Sequence, residues 1–143
     1  MGFRLIKILF GIEIVLIFIQ FYLGMNINLF VKIPLATPQN FANYSGGAEV
    51  AAHIIDGILI LTLASIILSY GSRLRNAWVS ALSAFALGFA LVAVATGATF
   101  TLRGQDGSLS LTMAMSFIMV FTIYVSEFHL VRKMQEINEA NFR

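Results

Sequence analysis

Four apolar runs of membrane length constrain this chain more than any other feature. They fall at about 8–31, 48–70, 77–100 and 109–131, and each is long enough to cross a hydrocarbon core of roughly 30 Å as a helix rising about 1.5 Å per residue. Between them lie only short polar segments. The chain has 143 residues, of which 59% are hydrophobic and 11% charged, and its mean hydropathy is +0.87. A soluble domain of this size carries about twice that charge. The expected fold is therefore all-α: one integral membrane four-helix bundle, multi-pass in the cell membrane, with the lipid bilayer as its main partner.

The charged residues sit mostly at the ends of these runs. Arg4, Lys7, Arg73, Arg75, Arg132, Lys133 and Arg143 fall on one side of the expected spans, and Lys32 and Arg103 on the other. Positive residues concentrate on the cytoplasmic side, so both termini are expected to be cytoplasmic. The net charge of +2 is accounted for by these end positions and implies no nucleic-acid partner. The first run follows a basic start but contains Glu13 and Gln20 and is too long for a signal peptide, so it reads as a mature span. The segment 32–47, with Pro34 and Pro38, is expected to form the longest loop, over the outer mouth, and 132–143 a short charged amphipathic tail. There are no cysteines, which excludes disulfides, thiolate-held clusters and covalent haem attachment but leaves non-covalent haem and quinone open.

The second span begins GGAEVAAHIIDG, where Glu49, His53 and Asp56 are spaced four and three apart and so share a helix face. Ionisable groups within a span need a partner or a polar interior, which marks them as functional candidates. A shift of 60 residues lays 46–58 against 106–118 and sets His53 opposite Met113 and Asp56 opposite Ser116. Imidazole and thioether at matched depth on two helices are a known axial pair for haem iron. The plainer interpretations are that Met113 is core filler, that His53 hydrogen-bonds a neighbouring helix, and that Glu49 is a surface residue suited to the positive helix end.

Helix three is rich in small residues, with Ala84 and Gly88, and Ala93 and Gly97, at small-xxx-small spacing. These suit close helix packing, or alternatively leave space near Gly97 for a flat ring. Asn26, Asn28, Thr96, Thr99 and Thr101 are expected to form one polar pocket at the level of His53. At the inner side, Glu127 and His129 read as interface residues in contact with lipid heads. A second interpretation has Glu13 facing Glu127 to take up protons.

The stretch LIFIQFYLGMNINLF, a Pro-containing loop and then GAEVAAHIIDG together resemble the heme A synthase superfamily, at half the usual eight-helix length. Gln20, Gly24, Glu49 and His53 are the matching positions. The resemblance implies haem ligation by His53, and any enzyme activity would be an oxidoreductase or haem-modifying one. The chain departs from the pattern in its Glu-to-His spacing, in lacking Arg after His53 and a loop cysteine pair, and in having Met113 in place of the second histidine. NLFVKIP and ATGATFTLRGQDGSLSLTMA also resemble an uncharacterised family of small four-helix membrane proteins from archaea and actinobacteria, which implies no activity.

The expectation is thus a small b-type cytochrome with haem b near the outer face. His53 and Met113, or in second place Met115, would be axial ligands, Asp56 or Asn28 the partner of the histidine, and Glu49 and Gly97 would lie beside the cofactor. Electrons would pass between quinol or a respiratory partner and the haem. The alternatives are a cofactor-free accessory subunit of a respiratory complex, with the same residues bridging helices or a homo-dimer, and a small proton-coupled carrier using Glu49, His53 and Asp56.

Overall fold

The computed structural model describes residues 2–34, 44–74 and 76–141. Pro38, Arg75 and Arg143, which entered the loop and charge readings above, lie outside the described residues. The chain forms four helices: α1 Gly2–Phe30, α2 Gly47–Arg73, α3 Ala77–Leu102 and α4 Gly107–Ala140. All four are long and apolar enough to cross a membrane. Each reaches to or beyond its expected span at one end or both, and α4 carries most of the expected tail with it. The residues after Val131 hold i,i+4 pairs, Arg132 with Glu136 at 3.0 Å and Gln135 with Glu139 at 2.7 Å, which support a solvated helix where apolar packing has ended.

The helices form a ring in chain order, with α1 against α2, α2 against α3, α3 against α4 and α4 against α1, while among the described residues the backbones of the diagonal pairs stay more than 8 Å apart. Contacts near the ends fix the directions. Gly71 near the end of α2 lies by Ile6 at the start of α1, and Asn76 before α3 donates to Met134 late in α4. At the opposite face, the backbone after α1 meets the α3–α4 turn. Successive helices are therefore antiparallel, and both chain ends lie at one face of the bundle. By charge this is the expected inner face.

Burial reveals a repeat. On α2, Asp56, Ile60, Ala64, Ile67 and Gly71 are buried, and a shift of 60 carries them onto Ser116, Val120, Tyr124, Glu127 and Val131 of α4, all buried too. On α1, Ile6, Phe10, Glu13, Ile17, Gln20 and Ile27 are buried, and a shift of 73 carries them onto Val79, Ser83, Ala86, Ala90, Ala93 and Phe100 of α3, again all buried. The two hairpins thus present the same faces to the core, related by a pseudo-twofold axis along the bundle. The shifts differ because the connection after α1 is twelve residues longer than the one after α3, and α1 ends one position later in the matched register.

Starts and turns have local causes. The side chain of Asn76 caps α3 by accepting from the amides of Trp78 and Val79, and Asp106 caps α4 by accepting from Ser108. Hydrogen bonds from Ser108 hold the Asp106 carboxyl below the usual carboxylate range. Gly46 before α2 takes a left-handed φ of 86°, and a side chain there would also press on Val31, whose Cγ2 lies 2.5 Å from where a Cβ would sit.

Ile27, Val31, Ile33, Val50 and Phe100 form an outer cluster, distinct from the main core, with Tyr44, Leu109 and Met113 packed on it. Gln105 clamps this cluster. Its side-chain amide donates to the carbonyl of Val31 at 2.7 Å and accepts from the amide of Ile33 at 3.2 Å, replacing helix bonds that α1 cannot supply past its end. Gln105 itself has φ 63°, following Gly104 at φ 77°. Both Gln105→Ala and Gln105→Gly should raise hydrogen exchange at the Ile33 amide, with a stability loss of roughly 1 to 2 kcal/mol for the two bonds. An Ile33 amide that stays protected in both variants would show that the clamp is not what holds it.

Candidate functional site

A cavity of about 370 Å³ lies in the outer half of the bundle and draws its walls from all four helices. That volume falls within the ordinary range for small-molecule sites. His53 of α2 and Met113 of α4 both line it, as do Asn28 and Gly97. The lining respects the repeat: Gly24 with Gly97, Asn28 with Thr101, His53 with Met113 and Gln20 with Ala93 are corresponding positions, so the cavity lies on the pseudo-twofold axis. Since α2 and α4 are diagonal in the ring, His53 and Met113 reach it from opposite corners.

The backbone makes room for these two side chains. A Cβ on Gly24 would come within 3.2 Å of His53 Cε1, and a Cβ on Gly97 within 3.2 Å of Met113 Sδ. Corresponding glycines thus back the two donor groups in corresponding ways. The amide nitrogen of Gln20 lies 3.3 Å from His53 Nε2, and Gly57 gives that amide its space. Nδ1 of His53 and Oε1 of Gln20 are buried without partners. With the Gln20 amide turned over, its oxygen accepts Nε2–H of a neutral imidazole, and Nδ1 then carries the ring's lone pair without a partner. Such a nitrogen, braced by a hydrogen bond through the other ring nitrogen, is the usual state of a metal-binding histidine.

The cavity is open at the side. Ile54 and Ile58 on α2 and Val94 on α3 line it and are also exposed on the outer surface of the bundle, with Phe21 and Met25 on α1 in the same situation. Above it, Ile27, Ile33 and Phe100 of the outer cluster separate it from the outer face.

Other expected residues lie elsewhere. Glu49 is exposed in the first turn of α2, while Asp56 is buried and lies toward Glu13 of α1; neither lines the cavity. They share a helix stripe with His53, but the first turn of α2 packs through Gly47 and Val50 and leaves Glu49 exposed beside them, while Asp56 lies on the buried face. Met115 is 53% exposed and points away from the bundle, which removes it as a ligand. The single polar pocket is not formed. Thr96, Thr99 and Thr101 spend their hydroxyls on carbonyls of their own helix, Asn26 donates to the carbonyl of Tyr22, and the cavity wall is chiefly apolar.

The inner group also differs from expectation. His129 is exposed, but Glu127 is fully buried, not a lipid-contacting residue, because Ser83 of α3 donates to its Oε1 at 2.6 Å. Glu13 is fully buried as well and stands three turns inside α1, since that helix starts at Gly2 and not near Ile8. Among the described residues no three His, Cys, Asp or Glu side chains gather into a metal cluster. Haem ligation by one imidazole and one thioether needs no such cluster, and the glycine-backed side chains of His53 and Met113 on one shared cavity fit that group.

Comparison with protein-family models, with curated proteins and with solved structures returned no match.

Proposed function

We propose that this chain is a small membrane-embedded b-type cytochrome, passing electrons between quinol or a respiratory partner and a haem held in the outer cavity. One observation carries the proposal: His53 and Met113, at corresponding positions of the two hairpins, line the same cavity on the pseudo-twofold axis. Core-filling methionine and helix-bridging histidine have no need of that correspondence or of the space between them.

Haem, when bound, supplies a one-electron couple, whose potential His/Met ligation raises. The rest falls to the protein. Gln20 fixes the plane of the His53 ring through Nε2, and Gly24 and Gly97 let ring and sulfur lie close to the opposing backbones. Ile27, Ile33 and Phe100 keep outer water from the cavity, which holds the local dielectric low. The side opening at Ile54, Ile58 and Val94 gives an isoprenoid quinol a route from within the bilayer.

The test is a visible absorption spectrum of protein purified in mild detergent, before and after dithionite. A Soret band with an α band that sharpens on reduction is expected. Protein that is colourless, and stays so after haem is supplied, would overturn the proposal and favour the accessory-subunit interpretation.

A further inference from the structure

Below the cavity, toward the face that carries the chain ends, the core holds a second set of polar groups that haem ligation does not use. Glu13 of α1, Tyr124 of α4 and Glu127 of α4 are each 0% exposed. Both carboxyl oxygens of Glu13, Oε2 of Glu127 and the hydroxyl of Tyr124 have no hydrogen-bond partner among the described residues. Tyr124 lies within electrostatic reach of both glutamates, and its ring packs on Phe10 with centroids 5.9 Å apart.

No salt bridge among the described residues reaches these acids. Among the described residues the salt bridge is Arg132 with Glu136, both largely exposed on the α4 extension, and the basic side chains lie at the helix ends. The groups facing the pair can be named helix by helix: Asp56 from α2 toward Glu13, Ser83 from α3 bonded to Glu127, and Tyr124 from α4. Two bare carboxylates in an apolar bundle with no counter-charge would cost many kcal/mol, whereas a carboxylic acid can donate a hydrogen bond to a neighbouring carboxylate or phenol oxygen. Side chains kept only for packing would not leave four polar atoms without partners, since each costs stability and an apolar residue of like size would not.

We propose that Glu13, Tyr124 and Glu127 form a proton-binding site that exchanges protons with water and holds at least one of them on a glutamate, with Tyr124 as the group common to both acids. The step is simple: a proton arrives on one carboxylate oxygen from water and leaves by the same class of transfer, with no change in electrons. Asp56 lies within electrostatic reach of Glu13, and Gln20 is seven residues, or roughly 10 Å, further along α1 toward the cavity. The site is therefore placed to serve proton movement toward the cavity. It does not rest on haem being bound.

Infrared spectroscopy of the full chain in detergent at neutral pH, in H2O and in D2O, tests this. The expected result is a carbonyl band of a protonated carboxyl group that shifts in D2O, loses intensity in Glu13→Gln and in Glu127→Gln, and persists in Asp56→Asn. Tyr124→Phe should keep the band and slow its shift. No such band in the unaltered protein, a band lost only in Asp56→Asn, or a band that never shifts in D2O would each overturn the proposal. Should the glutamine variants fail to fold, the D2O shift of the unaltered protein and its slowing in Tyr124→Phe decide. A colourless protein with an exchanging carboxyl band would refute the haem reading and leave this one standing.

Discussion

His53→Ala purified in detergent should contain no haem, while Met113→Leu should retain it with a high-spin spectrum. The difference follows from what each side chain supplies. Imidazole is the stronger ligand, and His53 is braced by Gln20, so its loss removes the anchor and leaves an apolar wall. Leucine at 113 keeps the volume against Gly97 but donates no electron pair, so a bound haem would be left one ligand short. Neither change touches the main core, and both variants should remain folded by circular dichroism. Unchanged visible spectra in both would remove His53 and Met113 as ligands. Loss of haem from Met113→Leu alone would make the sulfur, and not the ring, the anchor.

The largest effect on stability is expected from Phe10→Ala. Phe10 is 0% exposed, packs on Tyr124, and belongs to the main core together with Ile6, Val79 and Val131. Truncation leaves a hole that a bundle tied on four sides cannot close, at a cost of about 3 to 5 kcal/mol. It also removes the ring that packs on Tyr124. Thermal unfolding in detergent should show a clear fall in midpoint for Phe10→Ala and little change for Trp78→Ala, since Trp78 is 74% exposed. Equal losses in the two variants would mean that detergent contacts, not core packing, dominate the measurement.

The four spans were legible because a run of about twenty apolar residues has few alternatives in either water or lipid. Helix ends were not, because the polar residues beyond Val131 suit a solvated helix and a loose tail alike. That His53 and Met113 lie at one depth was legible through the shift of 60, and both line the same cavity. The matching shift of 73 between α1 and α3 was hidden: the unequal connections break the register, and Glu13 opposite Ala86 or Gln20 opposite Ala93 share no chemistry. Burial of Glu127 could not be foreseen, since its partner Ser83 lies 44 residues away on another helix. Gln105 looked like any turn residue, and the only hint was its place after a glycine in a short connection.

The pseudo-twofold axis relates the backbone faces of the hairpins but not their chemistry. Glu13, Gln20, His53 and Asp56 belong to the first hairpin, while the second answers with Ala86, Ala93, Met113 and Ser116. A flat molecule lying on the axis would therefore meet nitrogen on one side and sulfur on the other. Its two faces, equivalent by the geometry of the frame, become inequivalent by donor atom, and a frame that by itself admits either way up acquires a preferred one.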